Sequence, residues 1–138
     1  MEYAFRTPGF GGFQLLDLQD YPGQGSALVG ILDAFMDSKG IVSPETFYGF
    51  CAPLVPLALM KDHCWLNTQL LHIDVALSNY VEGDWNEPVR WGLVSDNGGW
   101  KRDGVLMASI PQGKVGKAGS IDLSLSGLKE AQRLTLTL

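Results

Sequence analysis

Alternation of apolar and polar residues dominates the chain after Pro56. It occurs in four segments: Leu71–Leu77, Val89–Leu93, Ile121–Leu125 and Leu134–Leu138. Successive side chains of a strand point to opposite faces, so this period of two is typical of a half-buried antiparallel strand. Strands repeated at this spacing predict a mainly β fold, with an immunoglobulin-like antiparallel β-sandwich over residues 54–138. Because the last alternating segment ends at an apolar residue, we expect the sandwich to be truncated at its last strand.

The alternation also predicts which side chains form the core. His72, Asp74, Arg90 and Asp122 should point to solvent, and Asp96–Gly99 should form a tight turn between two strands, because Asn and Gly tolerate a positive φ. A one-residue error in register would reverse every strand. The predicted inward-facing set is Ile73, Val75, Val89, Trp91, Leu93, Ile121, Leu123, Leu134 and Leu136.

Residues 1–53 lack the period of two and contain apolar runs separated by glycines. The run Phe13–Leu18 predicts a buried strand, because it is short, apolar and bounded by turn residues. Ala27–Met36 predicts a short helix. A second helix should begin after Ser43, which can accept an N-terminal amide hydrogen, and should end before Pro53.

Composition and charge exclude several classes of protein. The chain has 138 residues, enough for one domain, and its 46% hydrophobic and 18% charged residues exclude intrinsic disorder. The formal net charge of −5 argues against a nucleic-acid partner, which requires clustered Lys and Arg. The longest apolar stretch, Phe47–Met60, is interrupted by Pro53 and Pro56, so no membrane segment is predicted. The N-terminus has no readable targeting signal, and localisation stays unknown.

Cofactor and metal signals are weak. Gly23-Gln24-Gly25 lacks the remaining features of a dinucleotide fingerprint, and no cofactor is predicted. Asp62, His63, Cys64 and His72 offer metal-binding atoms without a repeated ligand spacing, so no metal is predicted. The only other cysteine, Cys51, should be a buried free thiol like Cys64.

The most polar cluster of the first third is formed by Gln14, Asp17, Gln19 and Asp20, which precede the turn Tyr21–Gly25. Amides and carboxylates at the end of a strand can bond sugar hydroxyls, each of which is both donor and acceptor. Asp17 and Asp20 would lie on opposite faces of a strand, which argues against a facing catalytic pair. For Asp17, a buried carboxylate that supports a loop is an equal alternative to a ligand.

These segments carry a family resemblance. Gly11–Gly25 reads GGFQLLDLQDYPGQG and Ala27–Gly40 reads ALVGILDAFMDSKG, and both resemble the end of the catalytic (β/α)8 barrel of bacterial glycoside hydrolases like family 2, the β-galactosidase and β-glucuronidase relatives. In that resemblance, residues 1–53 correspond to the end of the barrel, with one strand and two short helices. Residues 54–138 look like the following immunoglobulin-like domain, with its order of Trp65, Asn79-Tyr80 and Trp91-Gly92-Leu93.

The resemblance implies a periplasmic or secreted parent enzyme that hydrolyses glycosidic bonds with two carboxylates. Its catalytic glutamates lie on the fourth and seventh barrel strands, so no catalytic residue is expected here and the isolated chain should be inactive. Asp17, Gln19 and Asp20 match the substrate side of the eighth strand and are the implied substrate-binding residues. Leu16 and Met36 stand where many relatives have tryptophan, which removes two stacking surfaces for a sugar.

Two other classes of function remain open. The chain could be a stand-alone β-sandwich module that binds carbohydrate or protein, with Trp65, Trp85, Trp91 and Trp100 as candidates for its binding face. It could also be an interaction domain that docks another subunit at a sheet edge. The expected partners are carbohydrate, through the parent enzyme, and a second copy of the chain, through exposed apolar residues of the N-terminal segment.

Overall fold

The computed structural model describes residues 1–138 and consists mainly of β-strands. Two short helices, α1 and α2, precede six strands, β1–β6. The helices span Glu2–Phe5 and Pro44–Phe50, and the strands span Leu54–Leu59, Leu70–Asn79, Pro88–Ser95, Lys101–Met107, Lys114–Ser124 and Leu134–Thr137. No helix is both long and apolar enough to cross a membrane.

The strands form two three-stranded antiparallel sheets, with the orders β1-β2-β5 and β4-β3-β6. β4 contacts β5, which brings the two sheets together along one side. The arrangement confirms the predicted mainly β chain with two antiparallel sheets, as in a β-sandwich.

The core lies between the two sheets. Ile73, Val75, Val89, Leu93 and Ile121 are buried in it. The other four members of the predicted inward set, Trp91, Leu123, Leu134 and Leu136, are partly buried against the same cluster. The solvent-facing prediction is also confirmed, since His72, Arg90 and Asp122 are exposed and Asp74 is half-buried on the outer face.

The predicted turn between β3 and β4 is present. Gly98 has a φ of 69°, in the left-handed region that favours glycine, and its amide donates to the Ser95 carbonyl at 2.8 Å. The Asn97 side chain also accepts from the Gly99 amide at 2.9 Å. Turn chemistry therefore fixes the register in which β4 returns along β3.

Two predictions for the first third of the chain are wrong. Phe13–Leu18 is neither a strand nor buried, since only an isolated parallel bridge between Gln19 and Leu32 forms here. A strand needs a neighbouring strand to satisfy its backbone groups, and none runs beside this segment. Ala27–Met36 is mostly irregular, with a turn at Ala34-Phe35 and no helix.

Two residues explain why Ala27–Met36 does not form a helix. A Cβ at Gly30 would lie 2.6 Å from the Cα of Gln19 and closer still to the next backbone atoms, so this segment packs directly against another stretch of backbone. The Asp33 carboxylate accepts from the amides of Phe35 and Asp37, at 2.8 and 2.9 Å. Such local bonds compete with helical hydrogen bonding.

The second predicted helix is confirmed as α2. Ser43 precedes it and accepts from the Thr46 amide at 3.1 Å, while Pro44 occupies the first turn. The side chains of Phe47 and Phe50 lie together, with ring centroids 5.2 Å apart. The helix ends at Phe50, before Pro53.

The N-terminal segment lies against the outer face of the β1-β2-β5 sheet. Val55, Leu57 and Ala76 form a small second core there, and Phe5 packs against it. Phe5 also contacts Phe13 edge to face, with ring centroids 5.7 Å apart. These contacts attach residues 1–13 to the sandwich, while the following loops extend away from its core.

Candidate functional site

The predicted site residues Asp17, Gln19 and Asp20 line one shallow depression, formed by two loops, with a volume of about 570 Å³. The loops span residues 16–21 and 24–29. The Tyr21 amide donates to the Ala27 carbonyl at 3.0 Å and joins the two loops. Leu32, which follows the second loop, accepts from the Asp20 amide and donates to the Leu18 carbonyl, both at 3.0 Å. The structure therefore brings the three predicted residues together.

Asp20 differs from the other two because its carboxylate is engaged within the protein. It is 7% exposed, and Lys39 Nζ contacts its two oxygens at 2.9 and 3.0 Å. The Gly30 amide donates to Oδ1 at 2.8 Å. The hydrogen bond from Lys39 is the main cause that holds the pKa of Asp20 below its usual value, with the Gly30 amide acting in the same direction.

Lys39 connects Asp20 to the second loop. Its ammonium group also donates to the carbonyls of Gly30 and Leu28, at 3.1 and 3.4 Å. One buried carboxylate and one lysine thus fasten three backbone segments, and Asp20 determines the shape of the depression. No sequence pattern pairs Lys39 with Asp20, which lies 19 residues away, so this contact could not be predicted.

Asp17 and Gln19 remain available to a ligand. Asp17 is half-buried, Gln19 is exposed, and neither side chain makes a hydrogen bond within the protein. A carboxylate offers only acceptors, whereas an amide offers both donors and acceptors. The pair can therefore bond adjacent hydroxyl groups of a polyol, one as a donor and one as an acceptor.

The surroundings of this depression are apolar and exposed. Leu16 and Leu18 are 78% and 56% exposed, although both flank Asp17 directly. The second loop adds Leu28 and Val29, which are also exposed. The apolar residues Leu16, Leu18, Leu28 and Val29 therefore form an exposed apolar border around the polar side chains of the depression.

A second, larger cleft of about 810 Å³ opens between the two sheets. Its walls are core residues of both sheets, including Leu71 and Ile73 from β2, Leu93 from β3, and Leu134 and Leu136 from β6. The loops before β2 and β6 form its rim. Its lining is mostly apolar, so it fits an apolar side chain better than a sugar.

The tryptophans do not form an exposed row. Trp100 is buried, and Trp65, Trp85 and Trp91 are partly buried against the same core. The indole nitrogens of Trp65 and Trp85 donate to the carbonyls of Asp62 and Glu87 within their own loops. The flat aromatic face that a sugar-binding module requires is therefore missing from these four residues.

A charged network crosses the outer face of β2 and β5. His72 Nδ1 lies 2.7 Å from Asp122 Oδ1, and Lys117 Nζ lies 2.6 Å from Asp74 Oδ1. The hydrogen bond to Asp122 raises the pKa of His72. Hydrogen bonds from Lys117 and Ser120 lower the pKa of Asp74 to about 2. Period-two alternation placed these residues on the outer face, but their pairing depends on the register between strands.

The cysteines are free, and neither is buried. Cys51 is half-buried and Cys64 is exposed, which corrects the prediction of buried thiols. The reason is that Cys51 caps the end of α2 and Cys64 lies in the loop before β2, both outside the core. No three His, Cys, Asp or Glu side chains are grouped so that they could hold a metal ion.

Fold and site together define a two-sheet β-sandwich domain with a loop-borne carboxylate and amide pair beside an exposed apolar surface. The chain belongs to the family described as Domain of unknown function (DUF8488), whose model matches residues 69–138. The match spans β2 to β6 and excludes the loops that carry Asp17, Gln19 and Asp20. No curated protein matches the sequence.

Proposed function

We propose that this chain is the non-catalytic C-terminal part of a carbohydrate-active enzyme that hydrolyses glycosidic bonds, similar to the β-galactosidases. In this proposal, residues 54–138 are an immunoglobulin-like sandwich that supports a catalytic (β/α)8 barrel. Residues 1–53 provide the last strand and helices of that barrel. The proposal rests on the sequence resemblance of residues 11–40 and on the exposure of the apolar run Phe13–Leu18.

The observation that carries the proposal is the exposure of an apolar run that reads as a buried strand. Phe13, Leu15, Leu16 and Leu18 are all at least 40% exposed. Full burial of a wholly exposed side chain of this kind gains about 1.5–3 kcal/mol, and each of these residues would gain part of that in proportion to its exposed fraction. Flanking strands of a barrel would bury this run and would pair its free backbone groups.

The attachment of residues 1–13 to the sandwich agrees with a supporting role. Phe5 and the small core around Leu57 hold the segment on one sheet, while the polar site residues lie beyond it. The sandwich thereby positions the end of the proposed barrel strand without contributing side chains to the depression. Active sites of such barrels gather residues from the ends of several strands, so this chain alone should have no activity.

Within the proposed site, Asp17 and Gln19 bind sugar hydroxyls and Asp20 acts as a positioning residue. The first two have free polar atoms in the depression, whereas the Asp20 oxygens are occupied by Lys39 and Gly30. The paired catalytic carboxylates would come from the missing strands. The unpartnered apolar residues also favour self-association of the isolated chain through this segment.

The test is an assay of the purified chain with aryl β-glycosides, together with titration of soluble oligosaccharides followed by NMR. We expect no turnover and no binding, because one strand end cannot form a glycosidase site. Turnover that disappears in Asp17→Asn would refute the proposal, since the chain would then be a hydrolase by itself. Turnover by a contaminating host enzyme would persist in preparations of the Asp17→Asn variant, so the variant also controls for contamination.

Oligosaccharide binding by the isolated chain would instead favour the stand-alone binding module. In that case the shifted NMR signals should come from the tryptophan side chains. Their position in and against the core does not favour this alternative.

A further inference from the structure

The four outer sheet edges of the sandwich are not protected equally. Strands at an edge commonly carry charges or proline, which prevent pairing with another chain. β1 contains Pro56, β5 contains Lys114 and Lys117, and β4 begins with Lys101 and Arg102. β6 reads Leu-Thr-Leu-Thr, with no charge, proline or glycine.

The backbone of β6 has free hydrogen-bonding groups along its outer side. The Asp96 amide donates to the Arg133 carbonyl at 3.1 Å, so the backbone carbonyl of Arg133 points toward β3. In an antiparallel pair this orientation alternates along the strand, and Thr135 and Thr137 share it. Leu134 and Leu136 therefore direct their N–H and C=O groups away from β3, where the sheet ends.

The side chains of β6 have two distinct faces. Leu134 and Leu136 are half-buried and line the large cleft between the sheets. Thr135 and Thr137 are exposed on the opposite face. An added strand with the same alternation would continue both faces, with its apolar side chains beside the mouth of the cleft.

We propose that β6 is a dimerisation edge and that its partner is β6 of a second copy of this chain, antiparallel to it. Two-fold symmetry about Leu136 places that residue opposite its own counterpart and places Leu134 opposite Leu138 of the second copy. Leu134 and Leu136 direct their backbone groups outward, and continued alternation gives Leu138 the same orientation, so each pair exchanges N–H···O=C bonds in both directions. The sheet then continues from one copy into the other as β4-β3-β6-β6-β3-β4.

The sequence of β6 is complementary to itself in this arrangement. The leucine side chains of the two strands form one apolar row on the core side, and Thr135 lies opposite Thr137 of the second copy on the outer side. β6 itself has no charged side chain, so the pairing places no like charges directly opposite each other within the strand. The inference is independent of the carbohydrate proposal.

The small size of this edge determines the expected affinity. β6 has 4 residues, so the contact lies at the low end of specific protein interfaces. We therefore expect a dissociation constant of roughly 1–100 µM. Sedimentation equilibrium in a thiol reductant, which prevents disulfide formation by exposed Cys64, measures this range.

The test uses charge pairs on the exposed face of β6. Thr135→Lys/Thr137→Lys places like charges opposite each other in two symmetry-related pairs of the proposed dimer and should raise the dissociation constant about 2- to 30-fold. Thr135→Glu/Thr137→Glu should do the same. An equal mixture of the two variants should restore the dimer, because lysine then lies opposite glutamate across the interface.

The matched control is Val105→Lys/Met107→Lys, which adds two lysines at exposed positions of β4 on the other edge of the same sheet. It should leave the dissociation constant unchanged. A wild-type chain that stays monomeric through this concentration range would overturn the proposal. A dimer that is insensitive to the threonine variants but dissociates in Leu16→Asp would also overturn it and would assign association to the N-terminal segment.

Discussion

Replacement of Gly30 by alanine tests whether the depression is built as described. A Cβ at this position would lie 2.6 Å from the Cα of Gln19 and closer still to the adjoining backbone atoms. Backbone cannot move aside like the end of a side chain, so the loop that carries position 30 must separate from Gln19 and Asp20. The change removes no polar group and leaves the sandwich core untouched.

The size of the change in hydrogen exchange follows from the two hydrogen bonds that join residues 18–20 to Leu32. Separation breaks the bond from the Asp20 amide to Leu32 and the bond from the Leu32 amide to Leu18, both 3.0 Å long. At about 0.5–1.5 kcal/mol each, their loss lowers the local free energy of opening by about 1–3 kcal/mol. Hydrogen exchange at these two amides should therefore accelerate about 5- to 150-fold.

The assay is hydrogen exchange followed by mass spectrometry or NMR, with Gly25→Ala as the matched control. Gly25 lies in the same pair of loops, and a Cβ there would meet nothing within 4 Å. We expect unchanged exchange at Asp20 and Leu32 in the control and unchanged exchange in β2 in both variants. Equal protection of the two amides in Gly30→Ala and wild type would refute the close packing of the loops.

Three further predictions concern stability, pH and catalysis. Hydrogen exchange in the wild-type chain should be fast over residues 11–19 and slow over the sandwich strands, and the reverse order would contradict the exposure of the apolar run. Asp122 raises the pKa of His72, so the protonated imidazole stabilises the fold below its ordinary pKa of about 6.5 and loses that effect as the pH rises through the higher folded-state value. The Tm difference between wild type and His72→Gln should therefore be larger at about pH 5.5 than at about pH 8.5, and an equal difference would exclude the coupling. If a family 2-like catalytic barrel is joined upstream of the chain, Gln19→Ala should lower kcat/KM several-fold and Asp17→Ala by about 10- to 100-fold, while Trp100→Ala should lower only Tm. Equal kinetic damage from the tryptophan variant at unchanged Tm would mean that the sandwich reaches the substrate.

The sandwich core was predictable because each of its strands has one face toward solvent and one face toward the core. The alternation of apolar and polar residues in β2 predicts that Ile73 and Val75 are buried and that His72 is exposed. The order of the strands in the sheets was not predictable, since it depends on pairing between distant segments. The pairing of His72 on β2 with Asp122 on β5 was also not predictable, because it depends on the register between two distant strands.

The errors in the first third have a different cause. An apolar run such as Phe13–Leu18 predicts that its side chains are buried, but it does not predict which element covers them. Here no neighbouring strand is available. The absence of a helix over Ala27–Met36 depends on the close approach of Gly30 to Gln19, which is a tertiary contact. The predicted site residues Asp17, Gln19 and Asp20 are close in sequence, so their grouping could be expected from their spacing, whereas the engagement of Asp20 by Lys39 could not.

A conflict between local sequence and tertiary position is informative, because natural sequences generally agree at both levels. In β2 the two agree, and the strand needs nothing beyond this chain. At Leu16 and Leu18 they disagree, since apolar side chains stand in solvent beside polar residues that bond nothing. The proposed barrel resolves this disagreement, whereas dimerisation through β6 leaves it unchanged. The two association surfaces are therefore separable: substitutions at Thr135 should not alter the exposure of Leu16, and Leu16→Asp should not alter pairing through β6.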